Sequence, residues 1–183
     1  MGGDSVNVIC FGDSNTYGYD PRSWLGERYE PDSRWVDLLA AKTGWIILNE
    51  GMNGREIPKE NVHFPEDTDL LIIMLGSNDL LMGRSPEEAA DRMGRFLENT
   101  GVPFEKILII APPAMVHGAW VPEDRLIKAS MALAESYRSL SERLGVRFVD
   151  SGNWNVPLCY DGVHLTQEGH RIFADRLYRE LMK

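Results

Sequence analysis

The chain has 183 residues, enough to bury one substantial core, and we expect a single domain over residues 1–183. Its 43% hydrophobic and 26% charged residues exclude a disordered or fibrous protein, and its formal net charge of -9 would repel nucleic acid. The longest apolar run covers only residues 70–75, whereas a membrane-spanning helix needs roughly 20 apolar residues, so we expect no membrane span.

Five short apolar runs predict five β-strands, because they are rich in β-branched residues and too short for helices. These runs are numbered β1 to β5 and cover residues 6–11, 45–48, 70–75, 107–111 and 146–149. They alternate with helical patterns, which is typical of a parallel sheet covered by helices. We therefore predict an α/β fold, a three-layer α/β/α sandwich of flavodoxin-like type with a five-stranded parallel sheet. In such a sheet, ligands bind beyond the carboxyl ends of the strands.

Two helices are predicted between these strands by their terminal residues. The first begins near Asp32 or Ser33 and ends at Gly44, since glycine suits the left-handed position after a helix. The second begins at Ser85 and runs to about Asn99. Its start has the pattern of a capping box, with a serine, a proline and a glutamate at the required spacing.

Two further helices are predicted in the second half of the chain. One is indicated by apolar residues at helical spacing, namely Leu126, Leu133, Tyr137, Leu140 and Leu144. The last is capped by Thr166 and is expected to turn four side chains inward, namely Ile172, Phe173, Leu177 and Leu181.

The loops after the first three strands carry short polar motifs. Gly12-Asp13-Ser14 follows β1 and leaves a serine at the edge of the sheet, although a capping serine would look the same. Gly51 and Gly54 follow β2, where a glycine lets a backbone N–H approach a ligand oxygen. Asn78 follows β3 and has an amide that could donate hydrogen bonds to the same point. Each motif alone is equally typical of a turn.

The loop before the last predicted helix carries Asp161 three residues before His164. A carboxylate on the same short loop can orient an imidazole and stabilise its charged form, as in a catalytic triad. A structural histidine is the alternative interpretation. What favours catalysis is that all four motifs occur in order, each after a predicted strand or before the last helix.

These motifs resemble the four signature blocks of the SGNH hydrolase family, the GDSL-like lipases and acylhydrolases, which carry Ser, Gly, Asn and His. The matching residues are Gly12-Asp13-Ser14, Gly54, Gly76-Ser77-Asn78-Asp79 and Asp161-Gly162-Val163-His164. The resemblance covers nearly the whole chain, and residues 11–18 look like the branch of small bacterial arylesterases and acyltransferases. The connection between Asp79 and β4 is shorter than in that branch.

The resemblance implies a serine esterase in which Ser14 attacks the ester, His164 takes its proton and Asp161 orients the ring. It also implies that the backbone of Ser14, the backbone of Gly54 and the side chain of Asn78 bind the oxyanion. Hydrolysis and acyl transfer would share one acyl-enzyme, which Ser14 would form by reacting with a small-molecule ester. No metal or organic cofactor is implied, and the four histidines lack a metal-binding spacing.

A substrate pocket is predicted from residues placed after strands, and core packing is the alternative for its methionines. Its two tryptophans could stack on a sugar or an aryl group. The residues expected to line this pocket are Asp13, Tyr17, Met52, Met82, Met115, His117, Trp120 and Trp154.

Several alternatives stay open at the level of sequence. A carbohydrate O-deacetylase would use the same triad, whereas a non-catalytic flavodoxin-like binding module would use Asp13 and Asn78 for phosphate or metal. A homo-oligomer is compatible with the sequence. The N-terminus lacks the features of a secretory signal, so a cytoplasmic location is expected, although a trimmed secreted form would look the same. Cys10 and Cys159 indicate neither a disulfide framework nor a thiolate metal site.

Overall fold

The structure is a computed structural model that describes residues 6–183 and contains one five-stranded sheet. The strand order is β2-β1-β3-β4-β5, every neighbouring pair is parallel, and this is the flavodoxin-like order. The predicted α/β fold is therefore confirmed. The strands are β1 (Asn7–Gly12), β2 (Ile46–Gly51), β3 (Leu70–Met74), β4 (Ile107–Ala111) and β5 (Arg147–Asp150).

Helices cover both faces of the sheet. On one face, α2 and α6 pack together over β1, β3 and β4, and on the other α4 and α5 pack against the same strands. Two short helices, α1 and α3, follow β1 and β3 directly. The helices are α1 (Ser14–Tyr17), α2 (Trp35–Thr43), α3 (Ser77–Leu81), α4 (Pro86–Glu98), α5 (Asp124–Leu144) and α6 (Gln167–Leu181).

The predicted helix ends agree with the structure at three caps. Ser85 Oγ accepts the N–H of Glu88 at 3.1 Å while the Glu88 carboxylate accepts the N–H of Ser85 at 2.8 Å, which is the reciprocal capping box. Thr166 Oγ1 caps α6, and Gly44 ends α2 with φ of 71°. The start of α2 differs from its prediction, because residues 31–33 form a separate 3-10 turn before the helix begins at Trp35.

The edge strand β2 begins one residue later and ends three residues later than predicted. Its polar end continues in register with β1 as far as the pair Gly12 and Gly51, because pairing with a buried neighbour outweighs the low strand propensity of these residues. Only one face of β2 is covered, so Ile46 and Leu48 are half exposed, whereas β3 and β4 are buried on both faces.

No helix among residues 6–183 is long and apolar enough to cross a membrane. The N-terminal segment on which the expectation about a secretory signal depends, residues 1–5, lies outside the described residues.

Candidate active site

Ser14 lies at the carboxyl end of β1 as the first residue of α1. The helix is capped by Asp13, whose Oδ1 accepts the N–H of Asn15 at 2.9 Å, and it ends at Gly18 with φ of 89°. This single turn reverses the chain directly after the strand. It leaves the Ser14 side chain at the edge of the sheet, 6% exposed.

Ser14, His164 and Asp161 form a continuous row of hydrogen bonds. Ser14 Oγ lies 2.9 Å from His164 Nε2, although the two residues are 150 positions apart in the chain. His164 Nδ1 lies 2.8 Å from Asp161 Oδ2 on the same loop. His164 is 2% exposed and Asp161 1% exposed, so this row is shielded from water. The three residues expected to form a triad are thus brought together in the order that proton transfer requires.

The Asp161 carboxylate keeps its charge despite burial. Burial alone would raise its pKa, but hydrogen bonds from the His164 ring and from the backbone N–H groups of His164 and Val163 outweigh this and lower the pKa. Its Oδ1 accepts both N–H groups, at 2.8 and 2.9 Å, which leaves Oδ2 for the ring. The carboxylate therefore fixes both the loop and the imidazole.

The loop after β4 supports the His164 loop from outside. Backbone hydrogen bonds run from Ala119 to Tyr160 and from Trp120 to Asp161, each at 3.0 Å. The two loops lie so close that a Cβ at Gly118 would be 2.3 Å from the carbonyl carbon of Asp161. This approach requires glycine at position 118.

Three candidate oxyanion donors lie at the same edge of the sheet, on the loops that follow the neighbouring strands β1, β2 and β3. Within residues 6–183, the N–H groups of Ser14 and Gly54 have no protein acceptor. Asn78 donates one amide N–H to the carbonyl of Arg55 at 3.1 Å, which leaves its second N–H free for a ligand. Gly54 has φ of 71°, and a Cβ there would meet nothing within 4 Å, so its backbone conformation favours glycine.

A buried charge cluster lies behind these donors. Asp79 is fully buried and accepts the N–H of Ile57 at 3.0 Å, and its other oxygen lies 3.1 Å from the Arg92 guanidinium. Arg92 also contacts Glu56 at 3.1 Å and donates to the carbonyl of Ile57. Burial raises the pKa of Asp79, which the nearby N–H and guanidinium oppose. Asn78 and Asp79 together hold the segment that follows Gly54.

Asp13 lies beneath the site rather than in a substrate pocket. It is 2% exposed, and burial raises its pKa to about 6 against the opposing effects of the Asn15 N–H, His164 and Arg55. Its contacts with α1 make it a capping residue. The prediction that it contacts substrate has no support from this position.

Of the predicted pocket residues, Trp120 packs against the ring of the proposed base. Its ring is 5.0 Å from the His164 ring and 49% exposed, so it forms part of the rim of the site. Tyr17 packs beneath the guanidinium of Arg28 at 4.6 Å, and Met52 and Met82 are exposed on the loops after β2 and α3.

The side chains of three other predicted pocket residues make their contacts outside the hydrogen-bonded row. Met115 is 2% exposed in the core, because its N–H donates to Ser130 Oγ at 2.9 Å and draws it under α5. Trp154 packs on Phe173 of α6, with ring centres 5.0 Å apart, on the other face of the sheet. His117 is exposed and pairs with Asp124 at the start of α5, at 3.0 Å. The end of a strand fixes where a loop begins but not which way its side chains point.

Sequence reasoning did not identify Tyr19, whose ring lies 4.8 Å from the His164 ring. It also missed Arg55, which stacks over Phe11 at 4.1 Å and donates to the carbonyl of Gly12 at 2.9 Å. Both residues adjoin signature motifs, and that proximity was the one available signal.

Two other features of the structure bear on where the active site lies. Among the described residues, no group of three His, Cys, Asp or Glu side chains is placed to hold a metal ion. A cavity of about 530 Å³ lies beside α4, between residues 58–61 and Arg84, Arg92 and Arg95. None of Ser14, Asp161 and His164 lines it, so the hydrogen-bonded row and not this cavity marks the candidate active site.

The sequence pattern of the GDSL-like lipase/acylhydrolase family matches residues 10–172, which include every residue of the hydrogen-bonded row. The chain belongs to this family. No curated protein matches the sequence of this GDSL-like hydrolase.

Solved structures resemble this GDSL-like hydrolase over nearly its whole length. The native aryl esterase of M. smegmatis is 26% identical, with a TM-score of 0.79 over 97% of this chain and 99% of that chain. A putative arylesterase from Agrobacterium tumefaciens str. C58 is 31% identical, with a TM-score of 0.80 and coverage of 97% and 98%. A carbohydrate acetylesterase from Sinorhizobium meliloti is 26% identical, with a TM-score of 0.77 and coverage of 97% and 99%.

Family membership and these arylesterase neighbours identify the GDSL-like hydrolase as an ester-hydrolysing enzyme. The alternative of a non-catalytic flavodoxin-like binding module is therefore wrong, although the strand order of the sheet is shared with flavodoxin-like proteins.

Proposed function

We propose that the protein hydrolyses small carboxylic esters through an acyl-enzyme on Ser14. His164 Nε2 takes the hydroxyl proton as Ser14 Oγ bonds to the ester carbonyl carbon. Asp161 keeps the second ring proton on Nδ1 and stabilises the imidazolium that forms. When the tetrahedral intermediate collapses, the bond to the alcohol oxygen breaks and His164 returns the proton to that oxygen.

Water then enters in place of the alcohol. His164 takes a proton from the water, the hydroxide oxygen bonds to the acyl carbon, and Ser14 leaves with the proton returned by His164. An alcohol at the same position would give acyl transfer. In both halves of the reaction, the oxyanion would be met by the N–H groups of Ser14 and Gly54 and by the amide of Asn78.

The observation that supports this proposal most strongly is the row from Asp161 through His164 to Ser14, with distances of 2.8 and 2.9 Å. A structural histidine needs no hydroxyl at its outer nitrogen. A capping serine would direct its oxygen to the N–H groups of its own helix, but here Asp13 supplies that cap.

The test is p-nitrophenyl acetate hydrolysis by the purified enzyme. Ser14→Ala and His164→Ala should each lower kcat at least 1,000-fold, and Asn78→Ala should lower it about 100- to 1,000-fold. Ser139→Ala, an exposed position on α5, is the matched control and should retain full activity. Activity that persists in Ser14→Ala, or phosphonate labelling at another residue, would exclude this mechanism.

Deacetylation of carbohydrates is the second candidate function. The similarity to a carbohydrate acetylesterase and the half-exposed Trp120 beside His164 favour it, because pyranose rings stack on tryptophan. Comparing kcat/KM for acetylated sugars and for aryl acetates distinguishes the two substrate classes. Trp120→Ala should lower kcat/KM for the preferred substrate class more than for the other class.

A further inference from the structure

The Asn15 side chain connects the nucleophile helix to both sides of His164. Asn15 Nδ2 donates to the carbonyl of Val163 at 3.0 Å, and Asn15 Oδ1 accepts the N–H of Leu165 at 2.9 Å. The two contacts bridge 148 and 150 positions of the chain, and Asn15 is 4% exposed. Both ends of one amide are thus used on the two residues that flank the histidine.

The backbone of Asn15 is itself held on two sides. Its N–H donates to Asp13 Oδ1 at 2.9 Å, and its carbonyl accepts the indole N–H of Trp35 at 2.9 Å. Trp35 is fully buried as the first residue of α2. The amide therefore extends from a fixed point next to Ser14.

Among residues 6–183, the only other hydrogen bond between the His164 loop and α1 is the contact between His164 and Ser14 itself. Asp161 fixes the ring within the loop, and the loop after β4 holds it from the opposite side. Neither sets the distance between the loop and Ser14. Because proton transfer needs a heavy-atom distance of about 2.6 to 3.2 Å, a small shift of the loop would break it.

We propose that Asn15 is a positioning residue that holds His164 within proton-transfer distance of Ser14. This inference rests on the proposed function. The position needs one donor and one acceptor on a short side chain, which asparagine supplies. Leucine removes both, and an ionised aspartate would set a second oxygen against the carbonyl of Val163.

The first test compares Asn15→Leu with Asn99→Leu, which makes the same chemical change at an exposed residue at the end of α4. We expect kcat for p-nitrophenyl acetate to fall at least tenfold in Asn15→Leu with KM within twofold, and phosphonate labelling of Ser14 to slow by a similar factor. Asn99→Leu should match the wild type. A kcat within twofold of wild type in Asn15→Leu overturns the proposal.

A spectroscopic measurement separates positioning from general damage. The bond between Asp161 and His164 lies within one loop, so the downfield proton resonance of His164 Nδ1–H should persist in Asn15→Leu while reactivity at Ser14 falls. Loss of that resonance together with activity would mean that the loop itself has collapsed, and would overturn a role limited to the distance from Ser14.

Asn15→Asp provides an independent test if the leucine variant does not fold. A protonated carboxyl has an O–H donor and a carbonyl acceptor, so it reproduces the amide, whereas the ionised form does not. We expect burial and the Asp13 carboxylate to raise the pKa of the introduced group, against the opposing charge of a protonated His164. The ratio of its kcat to that of wild type should therefore rise at least fivefold as the pH falls from about 8 to about 5.5. A constant ratio overturns the proposal.

Wild-type activity separates failure of the proposed function from failure of the role of Asn15. If wild-type protein neither hydrolyses the ester nor reacts with the phosphonate, the proposed function fails. If wild type is active and Asn15→Leu is equally active, only the role of Asn15 fails.

Discussion

At the scale of single residues, the carboxylate of Asp161 illustrates how a buried charge is maintained. Burial disfavours the ionised form, yet three hydrogen bonds within four residues of chain lower its pKa. The two oxygens have separate tasks, since one holds the loop backbone and the other holds the ring of His164. Substituting this side chain can therefore test ring orientation with little change in shape.

Asp161→Asn should lower kcat by about 1,000- to 10,000-fold with little change in KM. The amide oxygen can still accept the backbone N–H groups, but its NH2 would donate to His164 Nδ1. That favours the tautomer with its proton on Nε2, which cannot accept a proton from Ser14. Steady-state kinetics with p-nitrophenyl acetate measure the effect, and a loss below tenfold would mean that the carboxylate does not set the tautomer.

At the scale of elements, the segment after Gly54 is held by the start of α3 and the middle of α4. Asp79 binds the N–H of Ile57, and Arg92 faces Asp79 with a side chain that is only 11% exposed. The candidate oxyanion donors therefore depend on a charged cluster that includes none of Ser14, His164 and Asp161. Removing one charged side chain of this cluster would leave another buried without an opposite charge.

Arg92→Met should lower the free energy of unfolding by about 3 to 5 kcal/mol, because the fully buried Asp79 loses its cation. Urea denaturation followed by circular dichroism measures this loss. Arg95→Met, at an exposed position one turn further along α4, is the matched control and should cost below about 0.5 kcal/mol. Equal midpoints for the two variants would show that Arg92 does not compensate the charge of Asp79.

Short elements limited what could be predicted from the sequence. The run at β4 matched its predicted bounds, because five buried apolar residues allow no other assignment, and the capping box fixed the start of α4. The helices α1 and α3 were missed because four or five residues give no helical periodicity. The contact of Trp154 with Phe173 of α6 could not be predicted, because residues far away in sequence decide the direction of this side chain.

At the scale of the whole molecule, strand order explains how the site residues meet. β1 lies between β2 and β3, so the loops that carry Ser14, Gly54 and Asn78 leave neighbouring strands at one edge of the sheet. The loop after β5 must cross back over this edge to bring His164 to Ser14. The family motifs gave the order of these residues, but the crossing itself is visible only in three dimensions.

The same packing buries a second histidine, and this predicts how folding responds to acid. His170 in α6 is fully buried and accepts the N–H of Trp35 at 3.3 Å. Burial, with smaller effects of His164 and Arg34, lowers its pKa to about 3. An unfolded chain binds the proton at a pKa of about 6.5, so stability should decline as the pH falls from about 6.5 towards 3.

Comparing wild type with His170→Gln isolates this effect. Asp13, with a raised pKa of about 6, acts in the opposite direction between pH 4 and 6 in both proteins and cancels in the comparison. The free energy of unfolding in urea should fall more steeply for wild type than for the variant, by up to about 1.4 kcal/mol per pH unit. Parallel curves would show that His170 takes up no proton on unfolding.

The separation of 150 positions between Ser14 and His164 also has a consequence during biosynthesis. Ser14 and the two other candidate oxyanion donors, Gly54 and Asn78, are synthesised well before Asp161 and His164. A nascent chain therefore carries a hydroxyl with no partner to activate it. Esterase activity should begin only after the segment that carries His164 has been synthesised.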